Sequence, residues 1–387
     1  MSTPAPRLSG DELIARAEAL IPVLAARAGE AERLRRIPDE TIADLREAGL
    51  LRIAKPPGFG GYGLDFDCAW EVGVRLARGC GSTAWVYMVS QIHDYQAGVA
   101  PPAAQEAFFA DPDLMSSSAF APTGLLEPAD GGWLLSGSWG FSSGADHARW
   151  HLLGAVVPGV GLVLSIVARE DAEIVDDWHV SGLCATGSKT IRLTEPVFVS
   201  RDHWIPTGGG GNAQMRDQHA RASYGSPLSS ILSFALCAPL VGMTQAALDA
   251  YVEQAMKRRL PTGAEVRELA TVQARVAESA AELDAAATLC RALIAEHAAR
   301  GERGPEFTLE DRARFRRTHA YVARLCRSAT DRLFDGAGGH AIYDANPLQR
   351  LHRDVNAAVH QVALGWDDNA VLYGRVRLGL EPAGLFW

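Results

Sequence analysis

Ser136-Gly-Ser-Trp-Gly-Phe-Ser-Ser-Gly-Ala-Asp-His-Ala-Arg-Trp150 sits between two apolar runs, Trp133-Leu-Leu135 and His151-Leu-Leu-Gly-Ala-Val-Val157. A hydroxyl- and glycine-rich segment in that setting joins, or ends, two strands. Serine hydroxyls gathered without charge suit the rim of a neutral, planar, hydrogen-bonding ligand, such as a flavin ring, better than a phosphate or a metal. The same residues also make an ordinary strand end, so the rest of the chain has to distinguish the two.

Outward from that stretch, short alternating runs cover 115–120, 133–139, 151–157, 161–168, 172–178 and 190–199, separated by turn residues such as Asp130-Gly-Gly and Pro158-Gly-Val-Gly161. Strands without intervening helices imply a compact β domain and exclude the βαβ units of a dinucleotide-binding fold. Gly140-Phe-Ser-Ser-Gly144 has the spacing of a hydrolase nucleophile elbow, but no helix follows it. Before the β region the pattern is helical. Two helices are expected within 10–49, capped by Ser9 and Asp39, and after the Pro56–Gly63 loop three more over 66–78, 82–99 and 102–110. Ser82 or Thr83 is the expected cap of the middle one, whose face carries Trp85, Met88, Val89, Ile92 and Gln96, with His93 among them. After it comes a glycine-rich loop, 207–227, holding Arg216, His219, Arg221 and Tyr224, which is a connector or a substrate-side lid. Long alanine-rich amphipathic helices then cover 228–259, 263–300, 309–335 and 351–373. The expected fold class is α+β: an N-terminal helical domain (1–112), a central β-barrel or sandwich domain (113–206) and a C-terminal four-helix bundle (207–387).

Composition narrows the function. The chain has 387 residues, 48% hydrophobic and 21% charged, with net charge −9 and no basic block, which argues against nucleic acid as a partner. No apolar run approaches the roughly 18 residues that span a bilayer. Met1-Ser-Thr-Pro-Ala-Pro-Arg7 lacks the regions of a signal peptide. The six cysteines are scattered singly, which speaks against zinc and against a disulfide framework, and no metal is expected. A cytoplasmic protein is the expectation.

Five short segments, in order, resemble the acyl-CoA dehydrogenase superfamily from about residue 34 to residue 374. They are Gly79-Cys-Gly-Ser-Thr-Ala-Trp85 with His93, Ser116-Ser-Ser-Ala-Phe-Ala-Pro122, Gly137-Ser-Trp-Gly-Phe-Ser-Ser-Gly-Ala-Asp-His-Ala148, Gly182-Leu-Cys-Ala-Thr-Gly-Ser188 and Arg353-Asp354. Within the superfamily the chain looks most like the reduced-flavin-dependent oxygenase components of two-component hydroxylases acting on p-hydroxyphenylacetate or phenolic secosteroids. That resemblance implies diffusible reduced FAD or FMN from a separate NAD(P)H-dependent flavin reductase, O2, a flavin C4a-hydroperoxide, a small phenolic or fused aromatic substrate, and a homotetramer or homodimer. It places Ser142 near flavin N5 with Ser143 beside it, and His93 facing the substrate as a base.

A dehydrogenase of the same fold needs a glutamate base at one of two places, which here are Val362 and Leu232. The family's second histidine falls, in ungapped register, at Gln361 or Asn356, whereas this chain has His360; Asn356 and His360, four apart, share a helical face and are both assigned to the cavity. Cofactor contacts are expected from Trp139, Phe141, Ser142, Ser143, Thr186, Ser188 and Arg258, and substrate contacts from His93, Tyr224, Asn356 and His360. Trp139, Trp150, Trp178 and Trp204 equally suit the β-domain core. Alternatives are an N- or S-oxygenase of this fold, an acyl-CoA dehydrogenase or oxidase-like flavoenzyme, and a non-catalytic flavin-binding or scaffold subunit.

Overall fold

The computed structural model describes residues 8–207, 228–303 and 307–382. Ser9 opens the first helix, α1 (Gly10–Leu34), through a capping box: its Oγ accepts from Glu12 N–H at 3.3 Å while Glu12 Oε2 accepts from Ser9 N–H at 2.7 Å. Pro38, not Asp39, flanks α2 (Asp39–Glu47); Asp39 lies inside the first turn, where its charge still meets the helix dipole. α3 (Phe66–Gly79) and α4 (Gly81–Gly98) are separated by one extended residue, Cys80, which therefore takes the cap position expected of Ser82 or Thr83. α5 (Pro102–Phe108) follows. α4 is buried on every side, so Ser90, Gln91, His93, Asp94 and Gln96 all enter the interior.

The β region is a mixed sheet in the order β5 (Glu173–Val175), β6 (Lys189–Ser200), β2 (Gly132–Ser142), β1 (Met115–Ala129), β3 (Ala148–Val157), β4 (Gly161–Ala168), β7 (Trp204–Pro206), its two halves joined at β1 and packed on a shared core. Its pivot is β1 (Met115–Ala129). The first half of β1 runs parallel to β3 (Ala148–Val157), the second half antiparallel to β2 (Gly132–Ser142), and the ladder breaks between Ala119 and Gly124. Gly124 is required there, since a Cβ would lie 2.7 Å from the Trp139 ring and 2.9 Å from Gly154 O. β4 (Gly161–Ala168), β5 (Glu173–Val175), β6 (Lys189–Ser200) and β7 (Trp204–Pro206) complete the sheet. Alternation along β1 and β3 sorts side chains to two faces. Ala119, Leu153 and Ala155 join Leu135, Trp139, Val167 and Ile191 on one, while Leu152, Leu164 and Ile166 on the other pack against Ala97, Ala100 and Ala104 at the end of α4 and in α5.

The C-terminal helices are α6 (Leu228–Lys257), α7 (Ala270–Arg303), α8 (Leu309–Ala337), α9 (Pro347–Ala358) and α10 (Trp366–Arg377). The single helix expected over 351–373 is two. Tight turns from His360 N to Ala357 O and from Gln361 N to Ala358 O end the first, and Gln361 Oε1 then takes Ala363 N–H at 2.6 Å. Asn369 ties the turn to the second helix by donating to Gly365 O at 2.6 Å. A second correction concerns α6. Ile231–Lys257 is long and apolar enough, at mean hydropathy 1.7, to cross a membrane, but 83% of that window is buried among other helices, as in a core helix. The loop residues Arg216, His219, Arg221 and Tyr224 lie outside the described residues.

Four interior histidines make the fold sensitive to acid. Burial lowers His93 and His151 to about 4 and His297 and His319 to about 3. Each is neutral when folded, so its contribution is intact above the unfolded value near 6.5 and is lost as pH falls toward the folded value, at up to about 1.4 kcal/mol per pH unit for each group. Asp354, raised to about 6 by burial, acts in the opposite direction as a single group. The midpoint of thermal unfolding is expected to fall steadily between pH 6.5 and pH 4. A midpoint unchanged across that window would mean that these imidazoles are charged in the folded chain.

Candidate active site

Between Trp139 and Ser142 the ladder slips: Trp139 pairs with Ile191 but Ser142 pairs with Lys189, so β2 carries one residue more than β6 over this step. Phe141 absorbs the bulge with φ 64°, and its ring is 78% exposed. The slip resets the alternation of side chains. Ser142 turns inward with Trp139 and is fully buried, its Oγ donating to Ser117 Oγ at 2.8 Å. Ser117 Oγ in turn lies 2.8 Å from Nδ1 of His151, its register partner on β3.

Ser143 takes a different direction. Its Oγ is 2.7 Å from Ser188 Oγ, which is 2.7 Å from Thr186 Oγ1, and Thr186 Oγ1 donates to Leu183 O at 2.8 Å. The backbone closes the cluster, Gly144 N–H donating to Thr186 O at 2.8 Å. Gly144 abuts α4, where a Cβ would stand 2.8 Å from Val86. Three uncharged hydroxyls thus converge beside the helix that carries His93. Asp146 and His147 pin the segment: Lys189 Nζ bonds Asp146 at 2.9 Å, and His147 Nε2–H donates to Ile37 O at 2.7 Å.

His93, 1% exposed, reaches across to β1. Nδ1 lies 3.1 Å from Ser116 O and 3.0 Å from Ser116 Oγ, and Nε2 lies 2.7 Å from Ser118 Oγ. A carbonyl only accepts, so the proton sits on Nδ1 and Nε2 is the free base, receiving the Ser118 hydroxyl proton. Burial holds the ring neutral, at about 4. Ser116 and Ser118 alternate with Ser117, so His93 and the Ser142–Ser117–His151 chain occupy opposite faces of β1.

Several assigned residues are placed elsewhere. Trp139 is a core residue, its indole N–H donating to Gly154 O at 2.8 Å, and Trp204 stacks on Trp133 at 4.6 Å. Phe141 and Trp178, edge to face at 5.7 Å, form the apolar rim instead. Arg258 donates to Ala337 O at 2.8 Å, which commits its guanidinium to the C-terminal end of α8. Asn356 Nδ2 donates to Asp331 at 2.8 Å and to His352 O at 3.0 Å. His360 is exposed on the turn after α9, lining a separate cavity of about 420 Å³ with Arg324, Arg327, Trp366, Asp367 and Asp368. Asn356 is thus engaged by Asp331 and His352, and His360 lies beyond the end of α9 at Ala358. Sequence reasoning missed Ser117, His151, Asp146 and Lys189; the run of three serines at 116–118 was the one signal that pointed to them.

The cluster combines neutral hydroxyls, whose protons run in series from Ser143 to Ser188 to Thr186 to Leu183 O and whose oxygens remain open as acceptors, with an exposed aromatic rim. Such a set fits the edge of a planar uncharged heterocycle like a flavin ring. Val362 is half exposed and Leu232 packs against the helical core, so neither position offers a carboxylate base.

Comparison with known proteins agrees. The acyl-CoA dehydrogenase N-terminal domain family matches residues 17–97, and the acyl-CoA dehydrogenase C-terminal domain family matches residues 234–364. The oxygenase subunit HsaA of a flavin-dependent monooxygenase from Rhodococcus jostii is 34% identical over 94% of this chain and 98% of its own length. The oxygenase component of an FADH(2)-dependent resorcinol hydroxylase from a Rhizobium species is 34% identical over 97% and 96%. The crystal structure of 3-HSA hydroxylase from a Rhodococcus species superposes with a TM-score of 0.91 at 33% identity, covering 96% of this chain and 98% of that one. With its hydroxyl cluster in place and the dehydrogenase glutamates missing, the chain belongs to the acyl-CoA dehydrogenase superfamily as the oxygenase component of a flavin-dependent monooxygenase.

Proposed function

We propose that this oxygenase uses reduced FAD or FMN and O2 to hydroxylate a phenolic or fused aromatic substrate, and that a separate NAD(P)H-dependent reductase supplies the flavin. The supporting observation is a cluster of uncharged hydroxyls beside α4, the helix that also carries the buried neutral His93, with no carboxylate at 362 or 232. Reduced flavin, when bound, supplies the electrons and the oxygen-activating chemistry. The remaining work belongs to the chain.

Ser143, Ser188 and Thr186 offer neutral hydrogen bonds to the ring edge, in place of the Ser142 expected there, because the bulge at Phe141 turns Ser142 into the sheet interior. Phe141 and Trp178 would flank a bound ring and shield it from water. His93 Nε2, linked to the Ser118 hydroxyl, accepts the phenol proton and so enriches the aromatic ring. The long amphipathic C-terminal helices, with Tyr343, Val371 and Leu378 exposed on or beside them, support self-association as a homotetramer, with a homodimer as the alternative. The expected setting is cytoplasmic. Sedimentation equilibrium should give four times the 41.4 kDa chain mass, and a monomer would remove the oligomer from the proposal.

Two experiments test the site. Ser143→Ala should weaken binding of reduced flavin by roughly tenfold, one lost hydrogen bond of about 1.4 kcal/mol, and divert consumed O2 to hydrogen peroxide. Ser142→Ala should lower thermal stability with affinity nearly unchanged; the reverse ranking would return the role to Ser142. Separately, His93→Ala should cost roughly 10²–10⁴-fold in hydroxylation rate with reduced-flavin affinity preserved. With reduced flavin saturating at every pH, the acid limb of that rate in the wild-type enzyme should lie near pH 4, below which His93 is protonated and no longer a base. An acid limb near 6.5 would show that His93 is not the group concerned.

A further inference from the structure

Asp354 stands on α9, away from the strands that carry the hydroxyls, and is 6% exposed. Its Oδ1 accepts the backbone N–H of Leu183 at 2.6 Å. Leu183 holds φ 53° and ψ 33°, a left-handed conformation that a branched side chain adopts at a cost and that persists only where neighbours enforce it. Both ends of the residue are engaged. The carbonyl of Leu183 accepts from Thr186 Oγ1 at 2.8 Å, from Thr186 N–H at 3.1 Å and from Trp178 Nε1 at 3.3 Å.

The two residues before Leu183 dock on the same helix. Arg353 Nη1 donates to Ser181 O at 2.7 Å and to Glu32 at 2.5 Å. Gly182 lies so close to α9 that a Cβ would fall 2.2 Å from Arg353 O. Residues 181–183 are therefore fixed on Arg353 and Asp354, and the chain of contacts continues from Leu183 O to Thr186, Ser188 and Ser143. Trp178, the partner of exposed Phe141, hangs from the same carbonyl.

We infer that Asp354 is a positioning residue for flavin binding: through the Leu183 peptide it sets the Thr186–Ser188–Ser143 hydroxyls and the Trp178 rim in the geometry that receives the ring. The inference rests on the reading of that cluster as the flavin-facing wall. An ionised carboxylate gives the stronger bond to a peptide N–H. Burial, reinforced by the charge of Glu32 on α1, raises Asp354 to about 6 against the Leu183 peptide bond and Arg350 and Arg353 of its own helix, with the thiols of Cys80 and Cys184 also nearby. The clamp is accordingly tight above pH 6 and loosens below it.

The test is an anaerobic titration of the full chain with reduced FAD, with thermal stability followed in parallel. Asp354→Ala should weaken binding at least tenfold. Asp354→Asn, which keeps an acceptor at Oδ1, should restore affinity to within about threefold and abolish the wild-type weakening as pH falls through 6. Gly182→Ala, which pushes the loop off α9 with Asp354 intact, should reproduce the loss. Unchanged affinity in Asp354→Ala alongside a loss in Ser143→Ala would overturn this inference alone. Unchanged affinity in both would overturn the reading of the cluster on which it rests. If Asp354→Ala does not fold, a wild-type titration that is flat through pH 6, or one that Asp354→Asn follows, would overturn the inference as well.

Discussion

Between Trp139 and Ser142 the strand β2 advances one residue further than its partner β6, and Phe141 takes a positive φ to do so. Period-two alternation then restarts in the other phase. One serine enters the sheet interior to satisfy Ser117 and His151, and the next faces the loop of residues 182–188. Without the extra residue the two hydroxyls would exchange faces, and Phe141 would not stand exposed beside Trp178. The position of each polar group in the site follows from that slip.

Around it the hydroxyl clusters are polar and uncharged, while the Lys55–Asp94 pair at 3.6 Å is buried one residue from His93. Burying a hydroxyl is tolerable when it is hydrogen-bonded, and the serines of β1, β2 and the 182–188 loop satisfy one another or a histidine. Burying an imidazole keeps it neutral, which leaves His93 Nε2 as an acceptor at working pH. The charges near the cluster are paired: Lys189 with Asp146, Arg353 with Glu32. A site built this way suits a neutral ring and a weakly acidic proton, as the proposed function requires. It has no carboxylate at 362 or 232 with which to remove a proton from carbon.

Much of the fold was legible because it rests on local chemistry. The Ser9 capping box, the helices from α1 to α5 and the main strands follow from periodicity and turn residues, and the serine runs fall where the hydroxyls of the proposed site gather. What was hidden depends on tertiary pairing. A bulge changes register without changing composition, so the choice between Ser142 and Ser143 could not be read from Phe-Ser-Ser-Gly alone. The break after Ala358 arises from side-chain and turn bonds of Gln361 and Asn369, where hydrophobic spacing still reads as helix. Arg258 and Asn356 look free in sequence, yet Ala337 O and Asp331 lie within reach once α8 packs beside them. Arg353-Asp354 carried the resemblance, but its hold on residues 181–183 joins parts of the chain about 170 positions apart, a relation no local pattern encodes.

A crystal structure of the chain with bound FAD reads the arrangement in one step. The account requires the isoalloxazine edge within hydrogen-bonding distance of Ser143 Oγ, the ring against Phe141 and Trp178, and Ser142 still bonded to Ser117. A ring held by Ser142 with Ser143 turned away, or one lodged in the cavity beside His360 and Trp366, would contradict it.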